Sequence, residues 1–236
     1  IALLTKYFDR FYYAEQNRWE SQVVGYDLVP MDDDNENFLN EEKDECSISI
    51  DETPENETMI VWIRNVIEEV GKAKKEKRIP SFANPRQGDM EVFSLPAHLY
   101  NPLLYLADGN VEIGISPVDL KESEIKFVKA LHKHLTAHAC DFANKEIYLI
   151  RNRSKKGIGF FDDAGFYPDF ILWLIVNGKQ YITFIDPHGM AREPITSSKV
   201  GLFKRLKDEI GSTLPVKSVA LTSFILSPTK YSDLSD

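Results

Sequence analysis

Two aspartates and a histidine flank a predicted β-hairpin. Asn177-Gly178 is a strong signal for a two-residue hairpin turn, and strand-like apolar segments lie on both sides of it. If these two residues form the turn, the numbers of residues that face each other sum to 355. Asp169 then faces Asp186, with Cβ atoms about 4.5–5.5 Å apart. His188 lies two residues beyond Asp186, on the same face.

Two carboxylates that face each other on buried strands repel each other and are costly to bury. A divalent cation between them removes this cost, because hard cations prefer carboxylate oxygens as ligands. The sequence therefore predicts a metal site at Asp169 and Asp186. Two alternatives stay open at this point: the acids end their strands in solvent, or they take arginine or lysine partners.

A third acid lies on a predicted helix at 119–142. With about 100° per residue, Glu124 falls about 20° from Leu131, at the centre of the apolar stripe. One interpretation is an acid in the first helical turn that interacts with the helix dipole and reaches solvent. The competing interpretation is a third acid directed at the same metal ion as Asp169 and Asp186.

The remaining patterns predict the elements that would hold these acids. Strands are predicted at 145–152, 166–176, 179–186 and 216–226, with a second helix at 197–210. This αβββαβ order predicts an α/β fold with a mixed sheet. In the second helix, the 3.6-residue period directs Val200, Phe203, Leu206 and Ile210 inward.

Residues 1–118 are predicted to form an N-terminal extension that packs on a core of residues 119–236. The extension would contain helices at 1–19 and 59–77, a strand at 111–115 and an acidic loop at 31–58. That loop holds 12 acids and one base, a local charge of −11, whereas the whole chain carries −9. The rest of the chain is therefore slightly basic, at +2, and nucleic acid remains a possible partner.

The composition excludes several classes of protein. The chain has 236 residues, of which 43% are hydrophobic, and this excludes a disordered, collagen-like or coiled-coil protein. No apolar run approaches the roughly 20 residues that span a bilayer, so no membrane partner is expected. Two cysteines favour a reducing compartment, and we expect a cytoplasmic protein. Because the chain begins with Ile1, it is expected to be a piece of a longer protein.

The acids and their order along the chain resemble a known enzyme group. Glu124, Pro168-Asp169 and Asp186-Pro187-His188, on an αβββαβ order, resemble the PD-(D/E)xK nuclease superfamily. Longer segments are similar to the C-terminal nuclease domain of helicase–nucleases of the type III restriction enzyme kind. These segments are WESQ (19–22), HLYNPLLYL (98–106), ISPVDLKESEIKFV (115–128), GFYPDFILWL (165–174) and KQYITFIDPHG (179–189).

The resemblance implies a restriction-endonuclease-like core and a Mg²⁺-dependent DNA endonuclease, in which Mn²⁺ may replace Mg²⁺. Asp169, Asp186 and Glu124 would bind the metal, together with the backbone carbonyl of Pro187. These three acids and His188 would be the catalytic residues. His188 stands where the family usually has lysine, and it would position the water or the phosphate. Either Lys199 or Lys155 could supply the missing ammonium group.

Further implications concern partners. Double-stranded DNA would be the substrate, upstream helicase domains of the same chain would use ATP, and a methyltransferase subunit is a further candidate partner. No Walker A sequence is present in this chain. Basic residues would line a groove for phosphates, although an ordinary solvated surface explains them nearly as well. They are Arg151, Arg153, Lys155, Lys156, Lys199, Lys204, Arg205 and Lys207.

Two other classes of function stay open. The first is a catalytically inactive DNA-binding or autoinhibitory module of a helicase, which would keep the basic groove without needing three converging acids. The second is a protein-interaction domain, which needs neither feature and should expose an apolar patch.

Overall fold

The chain is a mixed α/β protein. The structure is a computed structural model, and it describes residues 11–12, 15–16, 18–20, 22–23, 47–76, 78, 80–95, 103–106, 113–116, 119–152, 157–160, 166–188, 198–214 and 216–227. None of the helices in these ranges is long and apolar enough to cross a membrane. Contacts divide the chain into two compact units, residues 38–144 and residues 145–236 together with 1–37.

The described residues of the unit 38–144 form two small antiparallel sheets, three α-helices and a short 3-10 helix, Pro54–Asn56. Strand β1 (Ser47–Ile50) pairs with β5 (Ile113–Ser116), and β3 (Met90–Phe93) lies between β2 (Arg86–Gln87) and β4 (Leu103–Leu106). The helices are α1 (Glu57–Lys75), α2 (Glu122–Ala137) and α3 (Ala139–Phe142). The helices predicted at 59–77 and 119–142 are thus confirmed, with a break in the second at His138.

The core of this unit forms between α1 and the strands. Trp62, Ile63 and Val66 of α1 belong to one buried cluster with side chains of β3, β4 and β5. The Trp62 indole N–H donates a hydrogen bond to the carbonyl of Asn84 at 2.8 Å, so its one polar atom is satisfied.

The predicted acidic loop at 31–58 is only partly described, and its described end differs from a loop. Ser47–Ile50 forms β1, in which Ile48 and Ile50 alternate with serines and are half-buried. Residues 57 and 58 begin α1. The short alternating pattern outweighs the charge of the surrounding stretch, because two isoleucines on one face can pack against the cluster around Trp62. Residues 31–46 lie outside the described residues, as do residues 1–10 of the helix predicted at 1–19.

The unit that contains residues 145–236 is built on a four-stranded mixed sheet. Its order is β6 (Glu146–Arg151), β7 (Phe170–Val176), β8 (Lys179–Asp186) and β9 (Val219–Ile225). The first three strands are antiparallel, and β9 is parallel to β8. The four predicted strands and their mixed sheet are confirmed. The predicted strand at 166–176 begins later, at Phe170, whereas Phe166 forms an isolated bridge with Phe160.

The β7/β8 hairpin has the predicted register. Asn177 and Gly178 form the turn with φ values of 50° and 75°, as a type I′ turn requires. Facing pairs run from Val176 and Lys179 at the turn to Phe170 and Ile185 at the open end. Each of these pairs sums to 355, as the position of the turn predicts.

The predicted helix at 197–210 is confirmed, but the inward orientation predicted for Phe203 is wrong. Helix α4 (Ser198–Arg205) continues into a π-helical segment, Leu206–Ile210, and then α5 (Gly211–Thr213). Leu202, Leu206 and Ile210 are buried, whereas Phe203 is exposed with the Lys204 ammonium over its ring. The π segment widens the turn, so the buried stripe follows a spacing of four residues and does not include Phe203.

We expect Gly178→Ala to destabilise the hairpin by about 1 kcal/mol, because an alanine at this positive φ is strained. A Cβ at Gly178 meets no heavy atom within 4 Å, so no steric clash contributes. Gly201→Ala is the matched control, since Gly201 lies in α4 with equally open space. It should stabilise the unit by about 0.5–1 kcal/mol. Urea unfolding measures both changes, and equal signs for the two would contradict the turn assignment.

Glu69 provides a pH-dependent contribution to stability. The Arg78 guanidinium bonds both carboxylate oxygens, at 2.6 and 3.3 Å, and the Ser81 N–H donates to one of them at 3.0 Å. The bond from Arg78 and then that from Ser81 lower the pKa of Glu69 from 4.5 to about 2. A lowered carboxyl pKa stabilises the fold above the unfolded value and loses that effect as the pH falls. Glu69→Gln should therefore lower the melting temperature at pH 7, and the difference should shrink between pH 4.5 and 2. An unchanged difference at pH 2 would contradict this origin.

Candidate functional site

The two predicted aspartates lie at the same end of adjacent antiparallel strands. Asp186 is the last residue of β8, and it is buried, with 5% of its surface exposed. Asp169 directly precedes β7, whose pairing with β8 brings Phe170 opposite Ile185. One further step of this register places Asp169 opposite Asp186. The hairpin register from which this juxtaposition was predicted is therefore confirmed.

His188 connects the two carboxylates. It lies in the turn after β8, where its backbone N–H donates a hydrogen bond to Asp186 Oδ1 at 2.9 Å. Its ring Nδ1 lies 2.7 Å from Asp169 Oδ2 and 3.5 Å from Asp186 Oδ1. Because a carboxylate only accepts, the short contact to Asp169 requires the proton on Nδ1. The Nδ1 atom of His188 is thus in contact with one carboxylate oxygen of each aspartate.

Lys199 supplies a positive charge to the second oxygen of Asp186. Its ammonium forms an ion pair with Asp186 Oδ2 and lies 5.1 Å from the centre of the Phe166 ring. Only 18% of the lysine side chain is exposed, so the pair is shielded from water. Both oxygens of Asp186 therefore have donors, as a buried carboxylate requires. A lysine partner is one of the alternatives that the sequence left open.

Carboxylate oxygens are the ligands that Mg²⁺ and Mn²⁺ prefer, and a cation bound between Asp169 and Asp186 stays a prediction. Asp169 Oδ2 and Asp186 Oδ1 approach one common atom, His188 Nδ1. The groups that contact these oxygens are the Lys199 ammonium and the backbone N–H and ring of His188. Pro187 is buried between Asp186 and His188, and the predicted role of its carbonyl as a ligand stays a prediction.

Glu124 is buried, as predicted, with 4% of its surface exposed. It lies in the first turn of α2, and its Oε2 accepts a hydrogen bond from the backbone N–H of Lys121 at 3.1 Å. This capping contact explains an acid at the helix start. Helix α2 belongs to the unit of residues 38–144, where Lys129 pairs with Glu91 of β3 at 2.9 Å. The convergence of Glu124 on the metal site stays a prediction.

The basic residues predicted to line a phosphate groove have varied surroundings. Arg151 ends β6, one residue before Asn152, so strand alternation directs it to the opposite face from Asn152. On the helix, Lys204 is exposed and the Arg205 guanidinium lies 3.7 Å from Glu209. Lys207 is exposed in the π-helical segment. Arg153, Lys155 and Lys156 lie outside the described residues. The groove stays a prediction.

Asn152 belongs to this end of the sheet, and the sequence analysis overlooked it. It is buried, and its backbone N–H donates to the carbonyl of Asp169 at 2.8 Å, which continues the β6/β7 register by one step. The available signal was a polar residue two positions after the apolar segment IYLI (147–150), at the position that faces Asp169. Finding it required the β6/β7 register, and no hairpin turn joins these two strands.

Comparison of the chain with known protein families, with curated proteins and with solved structures found no match. The functional interpretation therefore rests on the geometry around Asp169 and Asp186 and on the chemistry of their neighbours.

Proposed function

We propose that this chain is a metal-dependent nuclease module that cleaves DNA, with a restriction-endonuclease-like core. The observation that carries the proposal is the pair of carboxylates at the end of the β7/β8 hairpin, with a histidine and a lysine against them. Metal-dependent phosphodiester cleavage uses this combination: acids for a divalent cation, and donors for the anionic phosphate and the attacking water.

Asp169 and Asp186 would hold Mg²⁺ or Mn²⁺, and Glu124 is proposed as a third acid ligand. The bound ion would lower the pKa of a water molecule and stabilise the charge on the phosphate. His188 would orient the water or a phosphate oxygen through its ring N–H. The Lys199 ammonium would donate a hydrogen bond to the phosphate when a cation replaces it at Asp186. Lys199 of α4 would thereby take the role of the lysine that the superfamily usually has in its motif, where this chain has His188.

A second candidate function is a catalytically inactive DNA-binding module. The observation that favours it is that Asp186 already has a lysine partner and Asp169 a histidine partner, so both acids are satisfied without a metal ion. The two candidates differ in whether the protein binds a divalent cation at these acids. Measured Mn²⁺ binding that depends on Asp186 would support the nuclease.

We expect Asp169→Asn and Asp186→Asn each to reduce Mg²⁺-dependent DNA cleavage at least about 100-fold, because each removes a charged ligand that no neighbour replaces. Gel assays on supercoiled and linear duplex DNA, with the full-length protein, measure the change. Asp208→Asn is the control, since Asp208 is exposed in the π-helical segment, and it should retain activity. Cleavage at the wild-type rate by either site variant, in a preparation free of contaminating nuclease, would refute the proposal.

His188 and Lys199 should have separable effects. His188→Lys should retain or raise cleavage, and His188→Ala should lower it with nearly unchanged Mn²⁺ affinity, because the acids hold the ion. Lys199→Met should also lower cleavage, but it should tighten Mn²⁺ binding, since the ammonium competes with a cation for Asp186 Oδ2. Lys179→Met is the control, since Lys179 is exposed at the opposite end of β8 from Asp186.

Isothermal titration with Mn²⁺, together with cleavage rates, separates these roles. A large loss of Mn²⁺ affinity in His188→Ala would make the imidazole itself a ligand, which Mn²⁺ accepts more readily than Mg²⁺. Weaker Mn²⁺ binding in Lys199→Met would rule out competition between lysine and cation.

A further inference from the structure

Asp169 and Asp186 are held in different ways. Asp186 is the last residue of β8, where it is paired with Ile225 in the parallel ladder to β9. The carbonyl of Asp186 accepts a hydrogen bond from the Leu226 N–H at 2.8 Å, which extends the β8/β9 ladder. Asp169 precedes β7, so the β7/β8 ladder ends before it reaches this residue. Another contact must therefore fix its backbone.

Asn152 provides that contact from the end of β6. Its side-chain Nδ2 donates to the carbonyl of Pro168 at 2.8 Å, and its backbone N–H donates to the carbonyl of Asp169 at 2.8 Å. These two carbonyls belong to the two peptide groups on either side of the Asp169 Cα. A single residue therefore holds both peptide planes that set φ and ψ of Asp169. The direction of the Asp169 Cα–Cβ bond follows from these two angles.

The Asn152 amide is itself fixed. Its Nδ2 also donates to the carbonyl of Ile158 at 2.7 Å, and its Oδ1 accepts a hydrogen bond from the Ile158 N–H at 2.9 Å. The amide thus uses both donors and its acceptor, and only 8% of the residue is exposed. Pro168 is fully buried beside it. Aspartate has the same shape but donates no hydrogen bond, so it cannot replace this residue.

We infer that Asn152 is a positioning residue, which sets where the Asp169 carboxylate lies relative to His188 and Asp186. Asn152 has no contact with the carboxylate oxygens in this role; it acts through the main chain. Its effect on cation affinity rests on the proposed function, whereas its effect on the Asp169–His188 hydrogen bond does not. Loss of the amide donors should let the Asp169 backbone move, which would lengthen the 2.7 Å contact to His188 Nδ1.

Three variants of the full chain test this role. Asn152→Asp keeps the shape and removes both side-chain donors, Asn152→Ala removes the amide, and Asn152→Ser keeps one donor. Leu206→Ala is the control, because it removes packing from a fully buried position of the same unit without removing a polar contact. Thermal unfolding followed by circular dichroism gives the temperature range in which each variant is folded, and the measurements are made within that range. If the first two do not fold, Asn152→Ser carries the test.

The first measurement needs no metal. In ¹⁵N-histidine NMR spectra, assigned with His188→Gln, we expect the Nδ1 proton of His188 at low field in the wild type and in Leu206→Ala. We expect it shifted or lost in the Asn152 variants. A folded Asn152 variant that keeps this resonance unchanged overturns the inference.

The second measurement is Mn²⁺ affinity by electron paramagnetic resonance. We expect the Asn152 variants to bind Mn²⁺ about tenfold more weakly or worse, as for residues that orient a metal ligand, and Leu206→Ala to bind as wild type. Wild-type affinity in a folded Asn152 variant overturns the inference. If the wild-type protein binds no Mn²⁺ that depends on Asp169 and Asp186, the proposed function fails, and the His188 resonance alone decides the role of Asn152.

Discussion

The register of the β7/β8 hairpin is the constraint on which the candidate site depends. A two-residue turn at Asn177-Gly178 allows one pairing of the strands, and that pairing carries Asp169 to Asp186 at the far end. A slip by one residue would turn every side chain of one strand to the other face of the sheet. The two acids would then lie on opposite faces, where His188 could contact one of them at most. The conformation of a turn remote from the acids thus decides whether a site exists.

Charge compensation is the second requirement of this site. Burying an unpaired carboxylate costs several kcal/mol, and Asp186 is almost fully buried. Its oxygens are held by the His188 N–H and by the Lys199 ammonium, while Asp169 takes the His188 ring. These donors satisfy the oxygens of the two neighbouring acids. They also hold the oxygens in place, which would lower the entropy cost of binding the proposed cation.

The hairpin and the strands around it are predictable from sequence because local chemistry decides their structure. The Asn-Gly turn and the apolar segments predicted the hairpin, its register and the strands around it. Phe203 was placed inward because a constant 3.6-residue period was assumed, and the π-helical segment after Arg205 breaks that period. The strand Ser47–Ile50 was hidden within an acidic stretch, although its alternation was visible.

Other features of the site depend on tertiary contacts that no local pattern encodes. The stripe of α2 predicted the burial of Glu124, but its capping contact with Lys121 was only one of two interpretations. Lys199 was a candidate for the missing ammonium, together with Lys155, and only the path of α4 relative to β8 brings it to Asp186. No local sequence pattern predicts the role of Asn152, because its four hydrogen bonds reach residues that are 6, 16 and 17 positions away.

The two acids show how a sheet can build a site at the point where its ladder ends. Asp186, the last residue of β8, has its backbone held by the ladder to β9, and its carboxylate is held by the His188 N–H and the Lys199 ammonium. A residue one step beyond the strand, such as Asp169, is freer to approach a ligand, but its backbone then needs another partner. Here a buried amide takes over that function, and because it also binds Ile158, the segment after β6 is tied to the same point. The backbone of Asp186 is thus held by the ladder to β9, whereas that of Asp169 is held by both the backbone N–H and the side-chain amide of one residue, Asn152.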